Sequence, residues 1–423
     1  MNIIDELEWR EAINQQTDAE GLRKLTSEKS ISLYCGVDPT GDSMHIGHLI
    51  PFMMLKRFQL AGHRPVILIG GATGTIGDPS GRASERSLQS LEQIEQNVKA
   101  LTEQMKKLFV TEGDNQVRLV NNYDWISKIN VIEFLRDYGK NFSINTMLAK
   151  DVVSSRLESG ISFTEFSYQI LQSLDFLHLY QHEDVQLQIG GSDQWGNITA
   201  GLDLIRKKEG ADTETKAFGL TIPLMLKSDG TKFGKTAGGA IWLDPNKTTP
   251  FEFYQFWANT DDRDVIKYLK YFTFLGKEEI DALAEKVATE PHKREAQKAL
   301  AEEMTRFVHG EEMLEQAKRI TAALFSGDIK SLTADEIEQG FKEMPTFTAS
   351  REESNLVDWL VELGIEPSKR QAREDITKGA IMLNGDKVTE LDFAVTADLA
   401  IGGKFIIIRK GKKNYSLVKL EQN

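Results

Sequence analysis

The sequence predicts an α/β protein with a parallel β-sheet covered by helices, followed by an α-helical segment and a small α+β segment. Strand and helix patterns alternate from residue 31 to about residue 226, as in a sheet whose strands are joined by crossover helices. Residues 248–325 are helical and begin with Pro250 at a favoured first helical position. Because a chain of 423 residues is too long for one ordinary hydrophobic core, we expect two or three domains.

The first predicted strand runs from Ile31 to Val37, a segment that alternates and is rich in β-forming residues. Asp38–Ser43 breaks the strand, and Asp42 or Ser43 is expected to cap the helix that follows. That helix has one buried face at helical spacing, formed by Ile46, Leu49, Ile50, Met53 and Met54.

The motif His45-Ile46-Gly47-His48 lies where this helix begins. Two imidazoles three residues apart are thus presented at a helix N-terminus, where free N–H groups and the helix dipole favour phosphate. Gly47 allows a ligand to approach the backbone closely. The motif predicts a nucleotide site; the alternative is a pair of surface histidines.

Later strands end in polar or glycine-rich loops. Val66–Ile69 is a short apolar strand that continues into Gly70–Gly81, which contains five glycines. Asp78-Pro79 excludes the dinucleotide-binding glycine fingerprint, because a helix cannot open directly after it. Val185–Ile189 is another strand, ending in Gly190–Gln194. Ligands bind at the carboxyl ends of parallel strands, so we expect one polar edge to contain Tyr34, Asp38, Asp78, Asp193 and Gln194.

A polar stripe interrupts an otherwise apolar helix. Tyr168, Gln172 and Asp175 are spaced four and three residues apart and therefore share one helical face. Burying such a stripe is costly unless something satisfies its hydrogen bonds. The stripe is either a ligand site or a face turned to solvent.

The C-terminal segment is a candidate RNA-binding module, although the net charge of −13 argues against nucleic acid as a partner of the whole chain. Between residues 401 and 420 there are six Lys or Arg and no acid. Ser368 and Gln371 predict a capped helix, and hairpins are predicted at Asn384-Gly385 and around the basic turn 410–414. The candidate RNA contacts are Lys369, Arg370, Arg373, Lys410, Lys412 and Lys413. The alternative is a solvated run of charges.

A second motif, Lys232-Phe233-Gly234-Lys235-Thr236, follows a turn signal and suits the capture of a polyphosphate. Together the two motifs resemble those of class I aminoacyl-tRNA synthetases, His-Ile-Gly-His and Lys-Met-Ser-Lys-Ser. The second motif departs from that pattern at three of five positions, in the version that bacterial tyrosine–tRNA ligases commonly carry. The resemblance extends from Tyr34 to the basic C-terminal hairpin.

This resemblance implies a domain order. Residues 1–247 would form a Rossmann-like catalytic domain that includes the Lys232–Thr236 loop, and residues 248–325 an α-helical domain. Residues 326–350, which lose clear periodicity, are expected to be a linker or loosely packed connector. Residues 351–423 would form a small α+β RNA-binding domain resembling that of a ribosomal protein.

The resemblance also implies activation of L-tyrosine by ATP to tyrosyl-adenylate and transfer of the tyrosyl group to the 3′-terminal adenosine of tRNA(Tyr). Its tyrosine-binding positions are Tyr34, Asp78, Tyr168, Gln172, Asp175 and Gln194. Its ATP-binding positions are Cys35, Gly36, Asp38, Gly47, Gly191 and Asp193. Its catalytic positions are Thr40, His45, His48, Arg82, Arg86, Lys232, Lys235 and Thr236. Asp175 and Tyr34 would receive the phenolic hydroxyl, whose absence in phenylalanine leaves a desolvated charge unpaired.

Composition and family together set the remaining expectations. Mg²⁺ is expected with ATP, with no metal held by the protein's own residues, and the family implies a homodimer with tRNA lying across both subunits. A single cysteine, Cys35, and the absence of a long apolar stretch favour a reducing cytoplasm and no membrane. Rival readings are a small nucleotidylyltransferase, which would lack the tyrosine pocket and RNA module, and a non-catalytic RNA-binding relative.

Overall fold

A computed structural model describes residues 1–210, 216–236, 238–412 and 414–421. The chain divides into two units, one of Met1–Lys247 with Asn259–Leu300 and one of Thr248–Ala258 with the chain from Ala301 onward. The segment 248–325 is therefore shared between the units, and the three-part division by function stays a prediction. Within the described residues, no helix combines the length and apolar character needed to cross a membrane.

The regular elements follow the alternation expected from the sequence. In chain order the strands are β1 (Gln15–Gln16), β2 (Ser32–Val37), β3 (Arg64–Ile69), β4 (Arg118–Asn121), β5 (Val185–Gly191), β6 (Phe218–Ile222), β7 (Lys235–Thr236), β8 (Gly239–Ala240), β9 (Thr346–Ala349), β10 (Ser354–Asn355), β11 (Ile381–Leu383), β12 (Asp386–Lys387), β13 (Ala394–Val395), β14 (Phe405–Lys410) and β15 (Asn414–Leu420).

The helices, again in chain order, are α1 (Ile3–Trp9), α2 (Ala19–Glu28), α3 (Ile46–Leu60), α4 (Leu91–Lys106), α5 (Tyr123–Ile126), α6 (Val131–Glu133), α7 (Ile144–Leu148), α8 (Asp151–Ser154), α9 (Phe163–Glu183), α10 (Trp195–Glu209), α11 (Pro250–Ala258), α12 (Asp262–Phe272), α13 (Lys277–Thr289), α14 (Glu295–His309), α15 (Glu311–Ser326), α16 (Ala334–Gly340), α17 (Leu356–Glu362) and α18 (Lys369–Thr377).

The first unit is built on a six-stranded sheet in the order β1-β6-β5-β2-β3-β4. All neighbours in it are parallel except β1 and β6. The three strands predicted at residues 31–37, 66–69 and 185–189 are confirmed. Strand β3 is buried along nearly its whole length, as expected when helices cover both faces of a parallel sheet.

Helix α3 begins at a different residue from the one expected. Its N-cap is His45, whose Nδ1 accepts the backbone N–H of Gly47 at 3.1 Å, so the prediction of a cap at Asp42 or Ser43 is wrong. Asp42 instead pairs with Lys247, and the Ser43 hydroxyl donates to the carbonyl of Met44. Both side chains are thereby engaged, Ser43 also by the side chain of Gln104, and neither caps the helix.

The second unit contains a five-stranded sheet in the order β12-β11-β14-β15-β9. Alternate residues of β14 enter two cores: Ile406 and Ile408 pack with α17 and α18, whereas Phe405 and Ile407 pack with α15 and α16. The predicted helix cap at Ser368 and both predicted hairpins are confirmed.

The expected loose connector at 326–350 is wrong. This segment contains α16, and its strand β9 pairs in parallel with β15. Ile337 and Phe341, one helical turn apart, are fully buried in the second unit's core. The helix is short, so its apolar periodicity covers only two positions and is lost among polar neighbours.

Candidate active site

The carboxyl ends of the central strands open into a cavity of about 1170 Å³ in the first unit. It is lined by every residue predicted to bind tyrosine or ATP and by five predicted catalytic residues: Tyr34, Cys35, Gly36, Asp38, Gly47, Asp78, Tyr168, Gln172, Asp175, Gly191, Asp193 and Gln194, with Thr40, His48, Arg82, Arg86 and Lys232. His45, Lys235 and Thr236 lie outside this lining. Sequence-distant segments thus meet in one cavity, as the topology requires.

Asp175, one of the residues that line the cavity, is 2% exposed. Its two carboxylate oxygens accept Nε1–H of Trp125 at 2.9 Å and Nδ2–H of Asn122 at 3.0 Å. Burial raises the pKa of Asp175 to about 8, although both hydrogen bonds oppose that rise. The Tyr34 hydroxyl is buried nearby and has no hydrogen-bond partner within the described residues, so a polar ligand group would satisfy it.

The polar stripe of α9 is buried, so the solvent-facing alternative is wrong. The side chains of Tyr168, Gln172 and Asp175 are at most 9% exposed and all face the cavity. The Tyr168 hydroxyl donates to Asp38 at 2.7 Å, and Asp38 also accepts the Thr73 hydroxyl at 2.6 Å. Burial raises the pKa of Asp38 to about 6. Although we expected Asp38 among the ATP-binding residues, its hydrogen bond ties it to the tyrosine-binding stripe.

A third carboxylate stands between the two loops that follow β3 and β5. Asp78 accepts Nε2–H of Gln194 at 2.8 Å and the backbone N–H of Ser80 at 2.9 Å. Asn197 of α10 donates to the amide oxygens of Gln172 at 3.2 Å and Gln194 at 3.3 Å. These bonds orient the amides that line the middle of the cavity.

The two histidines of the first motif stack on one another, with ring centroids 3.7 Å apart. Nδ1 of His48 accepts the backbone N–H of His45 at 3.4 Å. Removal from water, followed by the positive neighbours His45 and Arg86, lowers the pKa of His48 to about 3. His48 is therefore neutral at physiological pH and acts as a hydrogen-bonding group without charge.

The second motif packs directly against the first. Gly234 has a φ of +87°, and a Cβ on it would lie 3.3 Å from the backbone nitrogen of Gly47, so a residue without a side chain is favoured here. The ring of Phe233 stacks on Phe272 of α12 with centroids 5.2 Å apart and anchors the loop. Burial lowers the pKa of His45, and the nearby positive charge of Lys235 lowers it further.

The candidate RNA contacts of the second unit differ in their exposure and in their ion pairs. Arg370, Arg373 and Lys412 are exposed. Lys369 forms an exposed ion pair with Asp358 at 2.7 Å. Lys410 is held by Glu366 at 2.9 Å, and Glu366 is 1% exposed. The remaining candidate, Lys413, lies outside the described residues.

Several residues that shape the cavity escaped the sequence analysis. Asn122 and Trp125 follow β4, a strand that the sequence pattern did not reveal, and Thr73 and Asn197 are small polar residues in a glycine loop and a helix. Lys150 also lines the cavity, with Nζ 3.1 Å from the Thr199 hydroxyl. The sequence signal that could have identified such residues is a polar side chain just after a strand. It can be used only where the strand itself is recognised.

Comparisons with known proteins show which family this chain is similar to. Residues 26–326 match the family model for tRNA synthetases class I (W and Y), and residues 336–418 match the tyrosine–tRNA ligase SYY-like C-terminal domain. Tyrosine–tRNA ligase 2 of Bacillus cereus (strain ZK / E33L) is 79% identical over 420 residues, covering 99% of this chain and 100% of that protein. Tyrosine–tRNA ligase 1 of Enterococcus faecalis (strain ATCC 700802 / V583) is 71% identical over the same share of both chains.

Among solved structures, a C-terminally truncated mitochondrial tyrosyl-tRNA synthetase from Aspergillus nidulans aligns with a TM-score of 0.69 at 34% identity. The alignment covers 77% of this chain and 94% of that one. Both the sequence and the fold are therefore similar to those of tyrosine-specific synthetases.

Proposed function

This chain belongs to the tyrosine–tRNA ligase family of class I aminoacyl-tRNA synthetases, and we propose that the cavity of its first unit is where tyrosine and ATP react. The family's reaction is the ATP-dependent activation of tyrosine and the charging of tRNA. The observation that carries the assignment of this site is the buried Asp175, hydrogen-bonded in a cavity that Gly47 and His48 of the first motif and Lys232 of the second also line.

Tyrosine is proposed to bind with its phenolic hydroxyl between Asp175 and Tyr34. The buried Tyr34 hydroxyl, which lacks a partner within the described residues, gains one when the phenol binds. Tyr168, Gln172 and Asp78 would hold the ammonium group, with Asp38 fixing Tyr168 through their hydrogen bond. Gln194 would orient the carboxylate that attacks ATP.

The nucleotide is proposed to lie against the two motifs. Cys35, Gly36, Gly191 and Asp193 would surround the ribose, and Gly47 would let the nucleotide approach the backbone, with His48 beside the ribose and adenine. Burial raises the pKa of Cys35 to about 12, so this contact is a thiol and not a thiolate. The cationic and hydroxyl side chains that would stabilise the departing polyphosphate are Thr40, His45, Arg82, Arg86, Lys232, Lys235 and Thr236.

Activation needs no covalent enzyme intermediate. The tyrosine carboxylate attacks the α-phosphorus of ATP, the bond to the bridging oxygen breaks, and pyrophosphate leaves. Positioning and electrostatic stabilisation supply the catalysis. A hydroxyl of the terminal adenosine of tRNA then attacks the tyrosyl carbonyl, and AMP leaves.

Mg²⁺ is proposed to enter with ATP, held mainly by phosphates and water. In the described part of the chain, no group of three His, Cys, Asp or Glu side chains is arranged to hold a metal ion. Asp38 and Asp78, two of the carboxylates that line the cavity, are also engaged by hydroxyl and amide donors. This donor set fits a metal ion carried by the substrate.

The pKa of Asp175 predicts how tyrosine recognition depends on pH. The phenol donates to the ionised carboxylate, so the KM for tyrosine should fall as pH rises towards about 8 and then level off. Replacing Trp125 with Phe removes a hydrogen bond that lowers this pKa. The decrease in the KM for tyrosine should therefore occur at higher pH in the variant. KM measured from about pH 6.5 to about 9 checks this, and superimposable profiles for both proteins would contradict it.

The second unit is proposed to bind tRNA through Lys369, Arg370, Arg373, Lys412 and Lys413. Lys410, which was predicted with them, forms an ion pair with Glu366. Burial raises the pKa of Glu366, and Lys410 opposes that rise. Lys410→Ala should therefore lower the free energy of unfolding of this unit by roughly 2 kcal/mol, less than for a fully buried pair because Lys410 is one-third exposed. Lys412→Ala should leave stability unchanged.

Measurements of tRNA charging test the proposed RNA contact of Lys412, as distinct from the structural role of Lys410. Lys412→Ala should weaken tRNA charging several-fold, more at low salt than at high salt, while tyrosine-dependent pyrophosphate exchange stays unchanged, because only the RNA step needs this contact. Calorimetric unfolding and charging kinetics on both variants provide the measurement. Unchanged charging by Lys412→Ala at moderate salt would remove Lys412 from the RNA surface.

We further propose a homodimer that works in the cytoplasm. Val131, Ile132 and Leu135 are 68%, 66% and 58% exposed within one short helical segment. Exposed apolar residues clustered in this way are typical of an interface between proteins. Sedimentation of the full chain gives the oligomeric state directly, and a monomer at micromolar concentration would contradict the proposal.

The test of the central proposal is exchange of labelled pyrophosphate into ATP with tyrosine, phenylalanine or tryptophan and no tRNA. Exchange with tyrosine alone supports the cavity assignment and excludes a small nucleotidylyltransferase or a non-catalytic relative. No exchange with any of the three amino acids would overturn it.

A further inference from the structure

Helix α4 directs a buried amide side chain at the turn that contains Thr40. Asn97 is 1% exposed, and its Nδ2 donates to the carbonyl of Pro39 at 3.0 Å and to Oε1 of Gln89 at 3.3 Å. Gln89 in turn donates to the carbonyl of Thr40 at 3.1 Å. Gln93 donates to Oδ1 of Asn97 at 2.9 Å and fixes which way this amide points. The Pro39 carbonyl is thereby held by Asn97 of α4, and the Thr40 carbonyl by Gln89, which precedes that helix.

A second amide on the same helix holds the residues that lead into His45. Oε1 of Gln104 accepts the backbone N–H of Met44 at 2.8 Å, and its Nε2 donates to the Ser43 hydroxyl at 3.0 Å. The same hydroxyl accepts the backbone N–H of Asp244 at 3.2 Å. Gln104 thus connects the start of α3 to the chain that returns from the second motif.

These two amides share one face of α4, since they are separated by two helical turns. The rest of that face is apolar, with Ile94, Leu101 and Met105 buried. Apolar residues would suffice to pack the helix, and an amide in such a place is costly unless its hydrogen bonds are made. Here the bonds reach the segment Pro39–Met44 through the Pro39 carbonyl, the Met44 N–H and the Ser43 hydroxyl. They position the backbone from which the side chains of Thr40 and His45 extend.

We propose that Asn97 and Gln104 are positioning residues for tyrosine activation, which hold this backbone so that Thr40 and His45 meet the departing pyrophosphate. The inference rests on the role proposed above for those two residues. A displacement of about 1 Å in a group that stabilises the transition state costs up to about 100-fold in rate. The effect should therefore fall on kcat and leave tyrosine binding untouched.

Gln104 offers a matched set of variants. Gln104→Met removes both hydrogen bonds at nearly constant volume and should lower kcat for tyrosine-dependent pyrophosphate exchange about tenfold, with the KM for tyrosine unchanged. Gln104→Glu keeps the acceptor for the Met44 N–H and should recover kcat to within about threefold of the original. Gln96→Met makes the same change at an exposed position of α4 and should alter neither kcat nor the melting temperature.

A double-mutant cycle with His45→Ala separates positioning from general destabilisation. If Gln104 acts through His45, the tenfold effect of Gln104→Met should shrink to less than about threefold when His45 is already alanine. Two independent multiplicative losses, or no recovery by Gln104→Glu, would overturn the inference while the proposed role of His45 stands. An unchanged kcat for His45→Ala alone would overturn both.

The second amide keeps the test available if Gln104→Met does not fold. Asn97→Asp preserves shape but places an acceptor against the Pro39 carbonyl, and should lower kcat about tenfold with little change in the KM for tyrosine. Its effect should shrink in the same way when Thr40 is replaced by alanine. An undiminished effect in that background would overturn the inference for Asn97.

Discussion

Lys235→Ala should lower kcat for tyrosine-dependent pyrophosphate exchange by about 100- to 1,000-fold while the KM for tyrosine stays within about twofold. The reaction expels a highly charged pyrophosphate, so cations aimed at it matter more in the transition state than in the ground state. The structure supports this placement, because Gly234 brings the loop against Gly47 and the charge of Lys235 is felt by His45. Lys235 lies outside the lining that contains the proposed tyrosine-binding residues.

The control is Lys216→Ala, which removes another exposed lysine, outside the cavity, whose side chain is 72% exposed. Steady-state exchange kinetics at saturating tyrosine and varied ATP should show no effect of this change. A loss confined to the KM for ATP in Lys235→Ala, with kcat intact, would mean that the lysine only binds the ground state.

Asp175→Ala should lower kcat/KM for tyrosine about 100-fold, because a charge-assisted hydrogen bond to the substrate is lost and two buried donors lose their acceptor. Those donors are Nδ2–H of Asn122 and Nε1–H of Trp125. The preference for tyrosine over phenylalanine should fall as well, since phenylalanine no longer leaves a buried carboxylate without its phenolic donor. Exchange measured with both amino acids gives the two quantities.

Folding is the competing explanation for this second result. The native pKa of Asp175 is about 8, above its value in the unfolded chain, so between those pKa values rising pH favours unfolding through this group. Removing the carboxylate therefore relieves a cost at neutral pH and offsets part of the lost hydrogen bonding. Asp114→Ala, at an exposed position, is the matched control. A large drop in melting temperature for Asp175→Ala, with normal exchange at low temperature, would refute the pocket assignment.

Local sequence signals were sufficient for much of the fold. The strands near residues 31, 66 and 185, the cap at Ser368 and the hairpin at Asn384-Gly385 depend on short-range periodicity and turn chemistry, which act within a few residues. The same signals failed where tertiary partners decide. Ser43 is a good capping residue by type, but its hydroxyl is engaged by Gln104, and His45 caps α3 instead.

The candidate site shows the same division. By itself the sequence determined the two motifs and the polar stripe of α9, because the residues of each are held together by spacing along one segment. Only the tertiary structure decided that the stripe is buried, that Asn122 and Trp125 donate hydrogen bonds to Asp175, and that Lys410 forms an ion pair with Glu366. Those pairs join residues far apart in the chain, and a contact between distant segments leaves no periodic trace in either of them.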